Sequence, residues 1–124
     1  MKKNILVIDD DGMIVKTIGS LLKREGYVVD ISETGQQAIE KIRTVDFNLI
    51  ITDIRMPQMD GIETISCIRK ILKDEKKQDI PIIFITGYAD SNAHIKAEKF
   101  GKVIFKPFDM RAFLEEVANS LGKK

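Results

Sequence analysis

The sequence predicts an α/β protein of five parallel strands alternating with five helices. Three observations predict it. Short apolar runs recur at Ile5–Ile8, Val28–Ile31, Leu49–Thr52, Ile82–Ile85 and Val103–Phe105. Between them, apolar residues repeat at the three-to-four spacing of a helix with one buried face. Residues able to cap helices precede most of those stretches. Strict alternation of this kind implies a parallel sheet covered by helices on both faces and joined by right-handed crossovers.

Three of the five runs are β-branched and unbroken by polar residues, as in strands buried on both sides. Asp30 interrupts the second run, which suits a more exposed strand near an edge. The first helix carries Ile14, Ile18, Leu21 and Leu22 and ends at Lys23, Arg24 and Gly26, a glycine suited to a C-cap. Thr34 and Gln37 have capping-box spacing ahead of Ala38, Ile39 and Ile42. Asp60 can cap a third helix with Ile65, Ile68, Ile71 and Leu72. A weaker fourth helix, with Ala93, Ala97 and Phe100, is expected after Asp90. The fifth follows Asp109 and aligns Met110, Leu114, Val117 and Leu121.

Composition narrows the function. The chain has 124 residues, 44% of them hydrophobic and 31% charged, with a formal net charge of +1. A single folded domain over residues 1–124 is expected, and disorder is excluded. The near-neutral balance gives no hint of a basic face for nucleic acid. One cysteine, Cys67, excludes an internal disulfide and fits a reducing cytoplasm. The run after Met1-Lys2-Lys3 stops at Asp9, too short for a signal-peptide core or a membrane span. His94 reads as an exposed residue of a short polar helix, and Cys67 as packing beside the third helix stripe.

With five strands the common order is 2-1-3-4-5, the flavodoxin-like doubly wound sheet, and ligands bind past the carboxyl ends of the strands where the winding reverses. Strand one ends in Asp9-Asp10-Asp11, strand three in Asp53, strand four in Thr86, and strand five in Lys106-Pro107. Asp11 serves best as a helix cap. The others converge on one rim. Clustered carboxylates repel, and a hard cation such as Mg²⁺ relieves the repulsion. A lysine and a hydroxyl facing the same cluster can hold phosphoryl oxygens. The set therefore describes a phosphoryl-transfer site with a carboxylate as nucleophile.

At these motifs, Asp9-Asp10, Asp53 with Met56-Pro57-Gln58-Met59-Asp60-Gly61, Thr86-Gly87 and Lys106-Pro107-Phe108, the chain resembles the receiver domains of two-component response regulators. The resemblance implies that Asp53 takes a phosphoryl group from a sensor histidine kinase or a histidine phosphotransfer protein. It implies Mg²⁺ or Mn²⁺ on Asp10, Asp53, the Arg55 carbonyl and Asp9, the last directly or through water. Lys106 would contact the phosphoryl group, Thr86 would shift to meet it, Gly87 would leave room beside it, and a cis Lys106–Pro107 bond is expected. A signalling phosphoacceptor rather than an enzyme follows. It would be cytoplasmic, without direct contact to nucleic acid or membrane, and would act through an output domain or partner, with a phosphorylation-dependent homodimer as a further expectation.

Two departures stand out. Many receivers carry Tyr or Phe three residues before the lysine, where this chain has Val103; Phe105, one residue before Lys106, is not expected to be that switch. The large residues Arg55 and Tyr88 are expected to obstruct water and prolong the phosphate's lifetime. The rival enzyme reading is a haloacid-dehalogenase-like phosphatase with Asp9 as nucleophile. It lacks an acidic motif after Lys106 and leaves Asp53 unexplained.

Overall fold

The computed structural model describes residues 2–87 and 92–122. The elements alternate as expected: β1 (Asn4–Ile8), α1 (Gly12–Arg24), β2 (Val28–Ser32), α2 (Gly35–Thr44), β3 (Leu49–Asp53), α3 (Gly61–Asp74), β4 (Ile82–Thr86), α4 (Ala93–Ala97), β5 (Lys102–Phe105) and α5 (Met110–Ser120). All strands are parallel and their order is β2-β1-β3-β4-β5, so the winding reverses between β1 and β3. β2 is an edge strand. Asp30 there accepts from Lys41 Nζ at 2.6 Å, and the same ammonium reaches the Ile31 carbonyl.

Side-chain alternation splits the core into two layers. Leu6, Ile8, Ile50, Ile82 and Phe84 pack against α2, α3 and Ala97 of α4. Ile5, Val7, Leu49, Ile51, Ile83 and Ile85 pack against α1 and α5. The central strands are buried nearly end to end, whereas β5 has no fully buried residue.

The caps explain where the helices begin. Asp11 accepts from Met13 and Ile14 N–H, Asp109 from Ala112 N–H, and Asp60 and Glu63 form a complete capping box. The Thr34 box is half formed: Thr34 accepts from Gln37 N–H, but the Gln37 side chain turns to the Glu33 N–H. Glu25 closes α1, and Gly26 follows it at φ 91°, a conformation that suits glycine. α4 starts at Asn92, which makes no side-chain cap bond; Asp90 lies outside the described residues.

Two expectations are corrected. Cys67 is exposed, because it sits off the buried line of Ile65, Ile68 and Leu72. His94 is half-buried, because its ring meets that of Phe105 edge-on at 5.5 Å between centroids. Among the described residues no helix is long and apolar enough to cross a membrane.

Candidate functional site

The topology brings Asp9, Asp10, Asp53, Thr86 and Lys106 to one rim of the sheet. Backbone bonds hold the strand ends that carry Asp9, Asp53, Thr86 and Lys106. The Asp9 N–H donates to the Ser32 carbonyl at 3.1 Å, and the Ile54 N–H to the Ile85 carbonyl at 3.3 Å. The Lys106 N–H donates to the Thr86 carbonyl at 2.8 Å. The Lys106–Pro107 peptide bond is cis.

The Asp53 end is packed tightly. The Gly61 N–H donates to the Ile54 carbonyl at 2.8 Å, and a Cβ on Gly61 would lie 2.0 Å from the Asp53 carbonyl oxygen. Only glycine lets the start of α3 lie so close to the backbone of Asp53. The Thr52 hydroxyl also donates to the Asp53 carbonyl, at 2.9 Å.

Asp9, Asp10 and Asp53 each offer a carboxylate oxygen, and these oxygens lie within 4.8 Å of one another. Lys106 Nζ lies 3.2 Å from Asp53 Oδ2 and 3.7 Å from Asp9 Oδ2. Burial pushes the Asp9 carboxyl up from 3.8 to about 6. The Asp11 N–H opposes the rise, the Asp53 charge adds to it, Lys106 opposes it, and Asp10 adds further. Asp9 Oδ1 accepts the Asp11 N–H at 3.0 Å, and the Arg55 N–H reaches Asp53 Oδ1 at 3.3 Å. Thr86 is buried, Arg55 and Gly87 are exposed, and a Cβ on Gly87 would meet nothing within 4 Å. Tyr88 lies outside the described residues.

Three oxygen ligands sharing one space, one of them reluctant to ionise, suit a hard divalent cation that would remove the repulsion. With the lysine close to Asp53 and the buried threonine at the end of β4 on the same rim, the arrangement can hold a phosphoryl group on a carboxylate.

Beside the acids, Asp11, Met13, Ile14, Thr17, Ile18 and Phe108 line a groove of about 270 Å³. Met13 is 79% exposed, and Met110, two residues after Phe108, is 52% exposed. No periodicity in the sequence points to this apolar patch, because Met13 precedes the buried stripe of α1 and Phe108 lies in a loop. A second groove, of about 550 Å³, lies at the opposite end of the sheet between Lys3, Phe47, Lys77, Ile80 and Leu121. It mixes charges of both signs and is remote from the acids.

A doubly wound sheet with an acidic trio at its reversal point, and a lysine and a threonine on the same rim, defines a phosphoacceptor signalling domain. The comparisons agree. Residues 5–118 match the response regulator receiver domain family, and the chain belongs to it. Members of this family act as phosphoacceptors in two-component signalling and bind Mg²⁺.

The chain is 35% identical over 121 residues to the response regulator receiver protein CpdR of Brucella abortus, covering 96% of this chain and 97% of that one. It is 37% identical over 108 residues to the transcriptional regulatory protein ZraR of Klebsiella oxytoca, covering 86% of this chain but 23% of the relative. The chain thus spans about a quarter of the length of the ZraR proteins it matches. A CheY-like receiver domain from Methanospirillum hungatei superposes with a TM-score of 0.87 at 31% identity, covering 98% of this chain and 95% of that one.

Proposed function

We propose that Asp53 is the phosphoacceptor of this receiver, supplied by a phosphohistidine on a sensor kinase or phosphotransfer protein. The carrying observation is the placement of Lys106 Nζ 3.2 Å from Asp53, within a trio of carboxylates that share one space. An Asp53 carboxylate oxygen forms the new bond to phosphorus as the phosphorus–nitrogen bond breaks. The donor imidazole leaves with the bonding pair and becomes neutral by taking up a proton. Later attack by water on phosphorus returns inorganic phosphate and the free carboxylate.

Asp9, Asp10, Asp53 and the Arg55 carbonyl would hold Mg²⁺, which supplies charge neutralisation for the carboxylates and the incoming phosphoryl oxygens. Lys106 balances charge on the side of Asp53 that it occupies, and Thr86 offers a hydroxyl donor from the end of β4. Asp9 is a poor alternative nucleophile: it is 2% exposed, and one of its oxygens is engaged by the Asp11 N–H. This weighs against the phosphatase reading.

The groove between α1 and Phe108, continuous with the acids through Asp11, fits the apolar flank of a donor helix that presents the phosphohistidine. A reducing cytosol suits a domain with one exposed thiol. An output domain or protein partner would read the phosphorylated state. A second copy is a candidate partner as well, supported by likeness to the beryllofluoride-activated NtrC4 receiver domain dimer, with a TM-score of 0.84 at 30% identity. Arg55, exposed two residues past Asp53, is positioned to slow the approach of water, so Arg55→Ala should lose phosphate faster.

Incubation with acetyl phosphate and Mg²⁺, followed by peptide mass spectrometry, tests the central assignment. One phosphoryl group should appear on Asp53 and be lost in Asp53→Asn. Labelling that survives in Asp53→Asn but disappears in Asp9→Asn would overturn it.

A further inference from the structure

At β2 the sheet has an outer side with no further strand. In a parallel ladder every second residue turns both its N–H and its C=O to the same neighbour. The Val28 N–H donates to the Lys3 carbonyl at 2.9 Å, and the Ser32 carbonyl accepts the Asp9 N–H at 3.1 Å. Val28, Asp30 and Ser32 therefore face β1, and Val29 and Ile31 direct their backbone groups outward. A row of outward donors and acceptors is a template for another strand. The segment Val28–Ile31 would suit one, since three of its four residues are β-branched and Val28 is 45% exposed.

Both outward groups of Ile31 are already occupied. Asp30 Oδ1 accepts the Ile31 N–H at 3.0 Å, and Lys41 of α2 donates to the Ile31 carbonyl. The same two side chains meet each other, with Lys41 Nζ 2.6 Å from Asp30 Oδ1. One ion pair thus closes the donor and the acceptor of a single edge residue. Asp30 is in register with Leu6, so the pair lies on the α2 face of the sheet. On the other face α1 lies against the strand at Gly19, where a Cβ would be 3.5 Å from Ile31 Cδ1 and 3.9 Å from Val29 Cγ1. The edge residue is held from both faces and along its outer side.

We infer that the Asp30–Lys41 pair keeps β2 from pairing with a second copy of this chain. The edge itself identifies that occupant. Two β2 strands related by a two-fold axis through the sheet run antiparallel and would join two five-stranded sheets into one. Such a ladder needs the outward N–H and C=O of Val29 and Ile31 in each copy. Asp30 and Lys41 hold those of Ile31 within the chain, so strand addition must first break an ion pair and two hydrogen bonds. Association of two copies is thereby left to other surfaces. The inference does not depend on which carboxylate accepts a phosphoryl group.

Amide hydrogen exchange and sedimentation test it, on the unphosphorylated full chain without Mg²⁺. In the native sequence the Ile31 N–H should exchange at least about tenfold more slowly than the Val29 N–H, although both lie on the outer side. The double variant Asp30→Thr with Lys41→Met keeps a strand-forming side chain and much of the lysine stem but removes both bonds. At low concentration it should lose that difference. It should associate as its concentration rises toward about 0.5 mM, and the Val29 and Ile31 amides should gain protection together as it does. Lys41→Met alone frees only the carbonyl; it should associate more weakly, and it is read in place of the double variant if that one does not fold. Lys41→Arg, which keeps a donor, should stay as the native chain. Variants that remain monomeric over the whole range would overturn the inference. So would association without protection at Val29 and Ile31, or a native Ile31 amide that exchanges as fast as that of Val29.

Discussion

β3 with α3 and β5 with α4 flank the same rim, and they are held by unlike means. On the β3 side every residue from Leu49 to Thr52 is buried, Gly61 lies against the Asp53 carbonyl, and a complete capping box starts a helix of 14 residues. On the β5 side no strand residue is fully buried, and the helix has five residues, with no cap bond from the Asn92 side chain. Phosphoryl transfer rewards the first kind of construction, since reacting groups must be held in place before the donor arrives. Signalling rewards the second, because a change must be cheap enough for one phosphoryl group to drive it.

The largest effect is expected at Gly61. A methyl group there meets backbone atoms of Asp53 and Ile54, which cannot rotate away as a side chain can. Gly61→Ala should cost about 3 kcal/mol, lowering the melting temperature by roughly 10 °C, and should slow labelling by acetyl phosphate. Gly87→Ala, one residue beyond Thr86, has open space around it and should stay within about 0.5 kcal/mol of the native chain. Thermal unfolding of the two variants measures the contrast, and equal losses would break the division.

The tight side also carries an electrostatic cost. Asp9 holds its proton up to about pH 6 in the folded chain, against an ordinary value of 3.8. Below the lower value it is protonated in both states. As pH rises toward 6, the unfolded chain ionises first, so stability falls across that window and levels off above it. The gap is worth up to ~3 kcal/mol without metal. Asp9→Asn should therefore gain stability relative to the native chain as pH rises from 4 to 6. Mg²⁺ at neutral pH should stabilise the native chain and leave Asp9→Asn nearly unmoved. Melting curves with EDTA or Mg²⁺ check both arms. A native-minus-variant difference independent of pH would show that burial does not strain Asp9.

How much of this was legible in the sequence follows the same division. Asp9, Asp53, Thr86 and Lys106 stand where apolar runs give way to polar residues, and strand order alone then brings them together. The caps at Asp11, Asp60 and Asp109 were legible because capping is local, set by residues two or three positions apart. The β5 side was harder to read. The pairing of Phe105 with Thr86 depends on the register between strands, to which no local pattern in either strand points. His94 looked exposed because its helix is polar, but the Phe105 ring, eleven residues on, packs against it. Cys67 looked like packing because it is apolar and close to the stripe of α3, yet its angular position on the helix turns it outward.

The smallest and most specific test compares the two helix starts directly. Asp60 accepts the Glu63 N–H at 2.8 Å while the Glu63 carboxylate accepts the Asp60 N–H at 3.2 Å, so each satisfies a backbone donor that a helix start leaves open. Asp60→Ala removes one arm and leaves the other without its counterpart, at an expected cost of about 1 kcal/mol. Asn92 makes no such bond, so Asn92→Ala should change stability by less than about 0.3 kcal/mol. Urea unfolding of the two single variants gives both numbers on one scale. Equal costs would mean that the Asn92 side chain caps α4 in solution as Asp60 caps α3. A clear cost at Asp60 with none at Asn92 would show that the Asn92 side chain adds nothing to the start of α4.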